Sequence, residues 1–119
     1  MTQRQQKLKE LLKEQVSEII HRELKDPRLG FVTVTDAEIT ADLRYGKVFV
    51  SIMGTDEDRE KSMAVLKNSQ RFVRQAFAKR VSMKVLPEIE FRLDASVDRG
   101  VRIFELLEEI RRDDKREPS

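Results

Sequence analysis

No cysteine occurs in this chain, which excludes disulfides, thiolate metal sites and cysteine nucleophiles together. Tryptophan is absent too, and one tyrosine and six phenylalanines leave the aromatic content at 6%. Only four glycines are present, Gly30, Gly46, Gly54 and Gly100, too scattered to form a phosphate-cradling loop. A single histidine, His21, cannot supply a triad, a metal site and a general base at once; it falls on the polar side of a helical pattern and reads as a surface residue. No serine sits in a strand-to-helix elbow, and carboxylate pairs are expected by chance among 22 acids. An enzyme and a bound cofactor are therefore not expected. No apolar run approaches the roughly 20 residues a bilayer span requires. The first ten residues are polar with no signal-type apolar block after them, so the chain reads as soluble and cytoplasmic, without a membrane partner.

What is present is charge. Of the 119 residues 39% are charged and another 39% hydrophobic, enough for one modest core within an ionic surface, hence one domain. With 24 basic against 22 acidic residues the net charge is only +2, so attraction to a polyanion must rest on charge segregation.

Leu8, Leu11, Leu12, Val16, Ile19, Ile20 and Leu24 recur at three- and four-residue steps, predicting an amphipathic helix over residues 3–25, stopped by Asp26-Pro27. From Phe31 to Thr35 the residues are β-branched and aromatic, which favours a strand. Its alternation slips by one position near Asp36, as a bulge would cause. A second strand over 47–53 alternates Val48, Val50 and Ile52 against Phe49 and Ser51. The short polar segment 40–46 makes the two strands antiparallel neighbours.

Thr55 is the expected N-cap of the next helix, followed by acids facing the positive end of its dipole. Val65, Leu66, Phe72, Val73, Ala76 and Phe77 share one arc, with Lys67, Arg71 and Arg74 opposite. Two helices meeting near Ser69, or one unbroken helix to Val81, fit this pattern. Pro87 introduces a strand over 88–93, and Ser96 caps a last helix over 97–112; the tail 113–119 holds no large apolar residue. The expected fold is α+β: a two-layer sandwich in the order α-β-β-α-α-β-α, helices covering one face of a three-stranded sheet. The domain spans 1–112.

Lys67, Arg71, Arg74, Lys79, Arg80 and Lys84 lie within eighteen residues that contain no acid, while acids gather at 56–60 and 105–114. Such a segment can release counterions from a phosphate backbone, although a solvated face is the ordinary reading of a charge run. Arg28, after the first helix, extends the candidate set. Arg80 falls toward the apolar arc and can lay its stem along the core. Phe72 and Phe77 are expected in the core, leaving Phe49 as the better candidate for an exposed aromatic.

Several blocks together resemble the bacterial ribosome-binding factor A family. They are Asp26-Pro27-Arg28, Val32-Thr33-Val34-Thr35, Glu38 to Leu43, Lys47 to Ser51, Phe72-Val73-Arg74 and Pro87 to Ser96, in the family's order and spacing across residues 4–112. The resemblance implies a type II KH-like fold without the GXXG loop. It also implies a non-catalytic assembly factor that binds the free 30S small ribosomal subunit at its 16S rRNA, assists late maturation and 5′-end processing, and is linked to growth in the cold. The family usually carries an Ala-x-Gly kink between its middle helices; here the matching residues are Ser69-Gln70-Arg71. Gly46 stands where alanine is common. The competing expectation is a protein-interaction module that docks on a ribosomal protein or another assembly factor through the sheet edge or the acidic last helix. No small-molecule substrate is expected, and no sustained heptad asks for more than a monomer.

Overall fold

The structure, a computed structural model, describes residues 1–94. The expected last helix and the tail lie outside the described residues. Helix α1 spans Gln3–Arg22 and opens on a capping box in which Thr2 Oγ1 accepts the Gln5 N–H while Gln5 Oε1 accepts the Thr2 N–H. It ends at Arg22, earlier than the proline stop required. The Glu23 and Leu24 N–H groups both bond to the Ile19 carbonyl, at 2.8 and 3.2 Å, closing the last turn before Asp26 is reached.

Strands β1, Val32–Ile39, and β2, Tyr45–Ile52, pair antiparallel with a register shift between Val34 and Asp36, the slip visible in the sequence alternation. Their connection is held by a carboxylate. Asp42 Oδ1 accepts the Thr40 hydroxyl at 2.7 Å and the Arg44 N–H at 3.1 Å, which secures Leu43 at φ 63°, a left-handed conformation that disfavours a branched side chain. At the other end of β2, Gly54 takes φ 125°, and a Cβ there would lie 2.5 Å from Asp58 Oδ2. That position requires glycine because Asp58 is turned back to accept the Thr55 N–H in the capping box of α2.

Helices α2, Asp56–Asn68, and α3, Gln70–Arg80, carry the chain across to β3, Glu88–Leu93, which lies parallel to β2 and completes the sheet order β1-β2-β3. A parallel partner demands a long crossover, and the two helices supply it. The core is one cluster. Leu12, Val16 and Ile19 from α1, Val48, Val50 and Ile52 from β2, Leu66, Val73 and Phe77 from α2 and α3, and Phe91 from β3 are all buried. The three described helices pack on the side of the sheet these residues face, giving the two-layer α+β arrangement.

Side chains cap backbone groups on both outer strands of the sheet. The Phe31 carbonyl accepts Met53 N–H and the Tyr45 carbonyl accepts Thr40 N–H, so the carbonyls of Val32 and Ile39 point away from β2. His21 Nε2–H donates to the first at 2.9 Å and Gln5 Nε2 to the second at 3.1 Å, laying α1 along the outer edge of β1. His21 is exposed as expected, but it has this structural task. On the far side, Gln70 Oε1 accepts the Phe91 N–H at 3.0 Å. Each of these bonds takes one backbone group of an edge strand out of reach of a docking strand.

Candidate nucleic-acid interface

The junction between α2 and α3 is a kink at one residue. Ser69 adopts φ −96°, ψ 1°, its N–H bonding back to Val65 and Leu66 carbonyls and its carbonyl accepting the Val73 N–H. The backbone ladder is thus nearly continuous while the axis turns, and Gln70 pins the turn to β3. Two cations flank it. Lys67 and Arg71 are both exposed and have no ion pair among the described residues. Arg71 also lines a groove of about 360 Å³ with Gln70, Arg74, Glu88 and Ile89.

The other cations of the acid-free segment part company in three dimensions. Arg74 faces the chain before β3: its Nε donates to the Pro87 carbonyl and its Nη2 to that of Leu86, both at 3.1 Å, with Glu88 Oε1 3.5 Å away. Its side chain is 37% exposed, so it retains a surface, but much of its donor capacity is committed. Arg80 is claimed by α1. Its guanidinium pairs with Glu18 at 2.7 Å and Glu23 at 3.3 Å and donates to Gln15 Oε1 at 3.2 Å. Arg80 does lie toward the apolar arc, where Glu18 of α1 and Glu23 at its C-cap meet the guanidinium. Lys79 and Lys84 are exposed without ion pairs among the described residues, Lys79 on the outward side of α3 and Lys84 in the loop 81–87.

Arg28 belongs to a local pair. Its Nη2 donates to Asp26 Oδ2 at 2.8 Å, and its Nε and backbone N–H both donate to Oδ1, at 3.1 and 2.9 Å. These bonds lower the Asp26 carboxyl pKa to about 2 and raise that of Arg28. Segregation of charge along the sequence is therefore only partly a segregation in space: acids from α1, β3 and the 26–28 turn neutralise three of the seven cations singled out.

The aromatics rearrange as well. Phe77 is fully buried, whereas Phe72 is 45% exposed beside Arg71, and Phe49 is half-buried on the open sheet face. Phe31, Tyr45 and Met53 are the more exposed large side chains there and at its end. The expectation that Phe72 lies in the core fails because α3 buries a narrow stripe, Val73, Ala76 and Phe77, and Phe72 sits about 40° beyond its Ala76 edge. One further arrangement escaped sequence reasoning: Arg4, from the first turn of α1, shares a groove with Lys84 and Asp42. Eighty positions separate the two cations, and no motif links them.

The family model for ribosome-binding factor A matches residues 4–107. The chain belongs to that family. It is 52% identical over 109 residues to ribosome-binding factor A of Thermodesulfovibrio yellowstonii, with 92% of each chain covered. The crystal structure of ribosome-binding factor A from Thermus thermophilus superposes with a TM-score of 0.67 at 30% identity, covering 75% of this chain and 93% of that one. A model of the Thermus thermophilus factor fitted into a cryo-EM map of a 30S–RbfA complex superposes with a TM-score of 0.62 at 31% identity, covering 72% and 90%.

Against the family's usual Ala-x-Gly kink, Ser69-Gln70-Arg71 keeps a bend without glycine. Leu43 is the sole non-glycine residue at positive φ among those described, so Arg71 lies in ordinary helical backbone and needs no glycine freedom. The substitution instead places a guanidinium on the outside of the bend. No group of three or more His, Asp or Glu side chains among the described residues is placed to hold a metal, and no described helix is long and apolar enough to cross a membrane.

Proposed function

We propose that this chain is a non-catalytic assembly factor that binds the free small ribosomal subunit at its 16S rRNA and assists late maturation, including that of the 5′ end. Lys67 and Arg71 lead the contact, at the bend between α2 and α3, with Lys79, Lys84 and the exposed part of Arg74 adding to the field. The observation that carries this reading is the bend itself: two exposed cations, unpaired within the described residues, on either side of the junction between two helices whose backbone hydrogen bonds run through it. The 30S complex of the Thermus thermophilus relative supplies the partner class. Phosphates, not base edges, are the chemistry such cations recognise. Arg80 and Arg28 serve stability in this reading, because their donors are already matched to carboxylates.

Charge reversal of Lys67 and Arg71 together tests it. Co-sedimentation of the double variant with small subunits is expected to be lost while its thermal unfolding is unchanged; retained binding would sink the proposal. A protein-interaction module docking through a sheet edge or through the acidic segment 105–114 is the competing reading. The caps that His21, Gln5 and Gln70 place on edge-strand groups weigh against the first route; the second lies outside the described residues.

A further inference from the structure

Away from the α2–α3 bend, a groove of about 410 Å³ lies among the first turn of α1, the β1–β2 connection and the loop 81–87. That volume is within the roughly 300–1,000 Å³ of small-ligand sites. Its lining has three chemistries. Arg4 and Lys84 are exposed cations with no ion pair among the described residues. Asp42 contributes a carboxylate, and Leu43, Met83 and Val85 an apolar surface, with Val85 62% exposed.

Asp42 is the informative member. Both of its bonds within the turn, from the Thr40 hydroxyl and the Arg44 N–H, fall on Oδ1, which leaves Oδ2 available as an acceptor. The same two bonds hold its pKa below the ordinary carboxylate value, so it stays charged at neutral pH. A plain phosphate track would be weakened by a fixed negative charge. An unpaired nucleotide would use all three chemistries: its phosphate on Arg4 and Lys84, an amino group of its base on Asp42, and its ring or ribose over the apolar side chains. An RNA duplex cannot, because its bases are stacked on one another and their amino groups lie in a deep, narrow major groove that side chains do not read.

We propose that this groove seats one unpaired nucleotide of single-stranded RNA, preferring a base that presents an amino group, cytosine over uracil. It rests on the RNA-binding reading above but is a distinct groove that shares only Lys84 with the surface around the bend, and it adds base selectivity to a surface otherwise read as recognising phosphates.

Binding of fluorescent hexacytidylate and hexauridylate to the full chain, read by anisotropy, tests it. Hexacytidylate is expected to bind at least about fivefold tighter, the scale of a single base contact. Asp42→Asn keeps an oxygen for Thr40 and Arg44 while turning the open acceptor into a donor, so the preference should shrink or invert. Arg4→Glu with Lys84→Glu should weaken both oligonucleotides alike by about tenfold or more. Arg4 is the second residue of α1, where an acid favours the helix dipole, so loss of binding there would not come from unfolding. An unchanged cytosine-to-uracil ratio in Asp42→Asn, or undiminished affinity in the double variant, overturns the proposal. If small-subunit binding still requires Lys67 and Arg71 in that case, the groove is wrong and the proposed function stands. If subunit binding ignores those residues too, both fall.

Discussion

Asp26 shows how one short contact sets the acid behaviour of the turn after α1. Three donors from Arg28 converge on its carboxylate and lower its pKa from 3.8 to about 2. A depressed carboxyl pKa contributes stability that is present above the unfolded value and lost as pH falls through the folded one. The window is therefore between about pH 4 and pH 2. Asp26→Asn should lower the melting temperature modestly at pH 6, and the gap from the parent chain should close as pH drops toward 2, measured by circular dichroism melts across that range. A gap that stays constant would mean that the pair acts by shape and not by charge.

The same scale separates residues that look alike in the sequence. Arg71, Arg74 and Arg80 lie on one helix in an acid-free segment, yet they meet respectively solvent, two backbone carbonyls with Glu88, and three polar side chains of α1. Helical angle explains part of this: at 100° per residue Arg80 points near the buried stripe and Arg71 far from it. What stood on the other side of Arg80 could not be inferred, because Glu18 and Glu23 are about 60 positions away and only the packing of α1 beside α3 brings them there.

Among the elements, the bend between α2 and α3 depends less on Ser69 than on its neighbour. Ser69 makes no side-chain cap bond, whereas Gln70 satisfies an edge N–H of β3 that otherwise faces the helices. Removing a partner from a part-buried backbone donor costs about 1–3 kcal/mol. Gln70→Ala should destabilise the protein by that amount in a urea titration and speed hydrogen exchange at Phe91, while Ser69→Ala should be close to neutral. Equal effects would show that the bend is set by the capping position and not by its tie to the sheet. The strands and the two-helix break were legible from alternation and from the Asn68-Ser69-Gln70 patch, since both are local patterns. The parallel pairing of β3 with β2 was not, because register between strands some 40 residues apart is decided by packing of the crossover.

For the molecule as a whole, with a net charge of only +2, the described basic residues divide into cations matched internally and cations left outward. That division predicts opposite phenotypes for similar mutations. Arg80→Glu places a fourth carboxyl-bearing or amide group among Gln15, Glu18 and Glu23 and should lower stability by about 1 kcal/mol or more, with the salt dependence of RNA binding unchanged. Lys67→Glu should leave stability unchanged within about 0.5 kcal/mol. It should also reduce the slope of log K against log salt by roughly 0.7–0.9, the contribution of one phosphate contact. Melting curves and salt titrations of both variants separate the two roles, and a slope change in Arg80→Glu alone would reverse the assignment.

By itself the sequence determined the described elements and their order, the bulge, the Thr55 cap and the α+β class, because each is governed by periodicity or by groups a few positions apart. It also carried the family, through short blocks kept in order. Only the tertiary structure decided which cations remain outward, that Phe72 is exposed while Phe77 is buried, that α1 and Gln70 cap groups on the outer strands, and that Arg4 shares a groove with Lys84 and Asp42. Charges and hydrogen-bond donors are matched through space, at distances of about 3 Å, and a chain folded over itself brings together partners that its linear order keeps far apart.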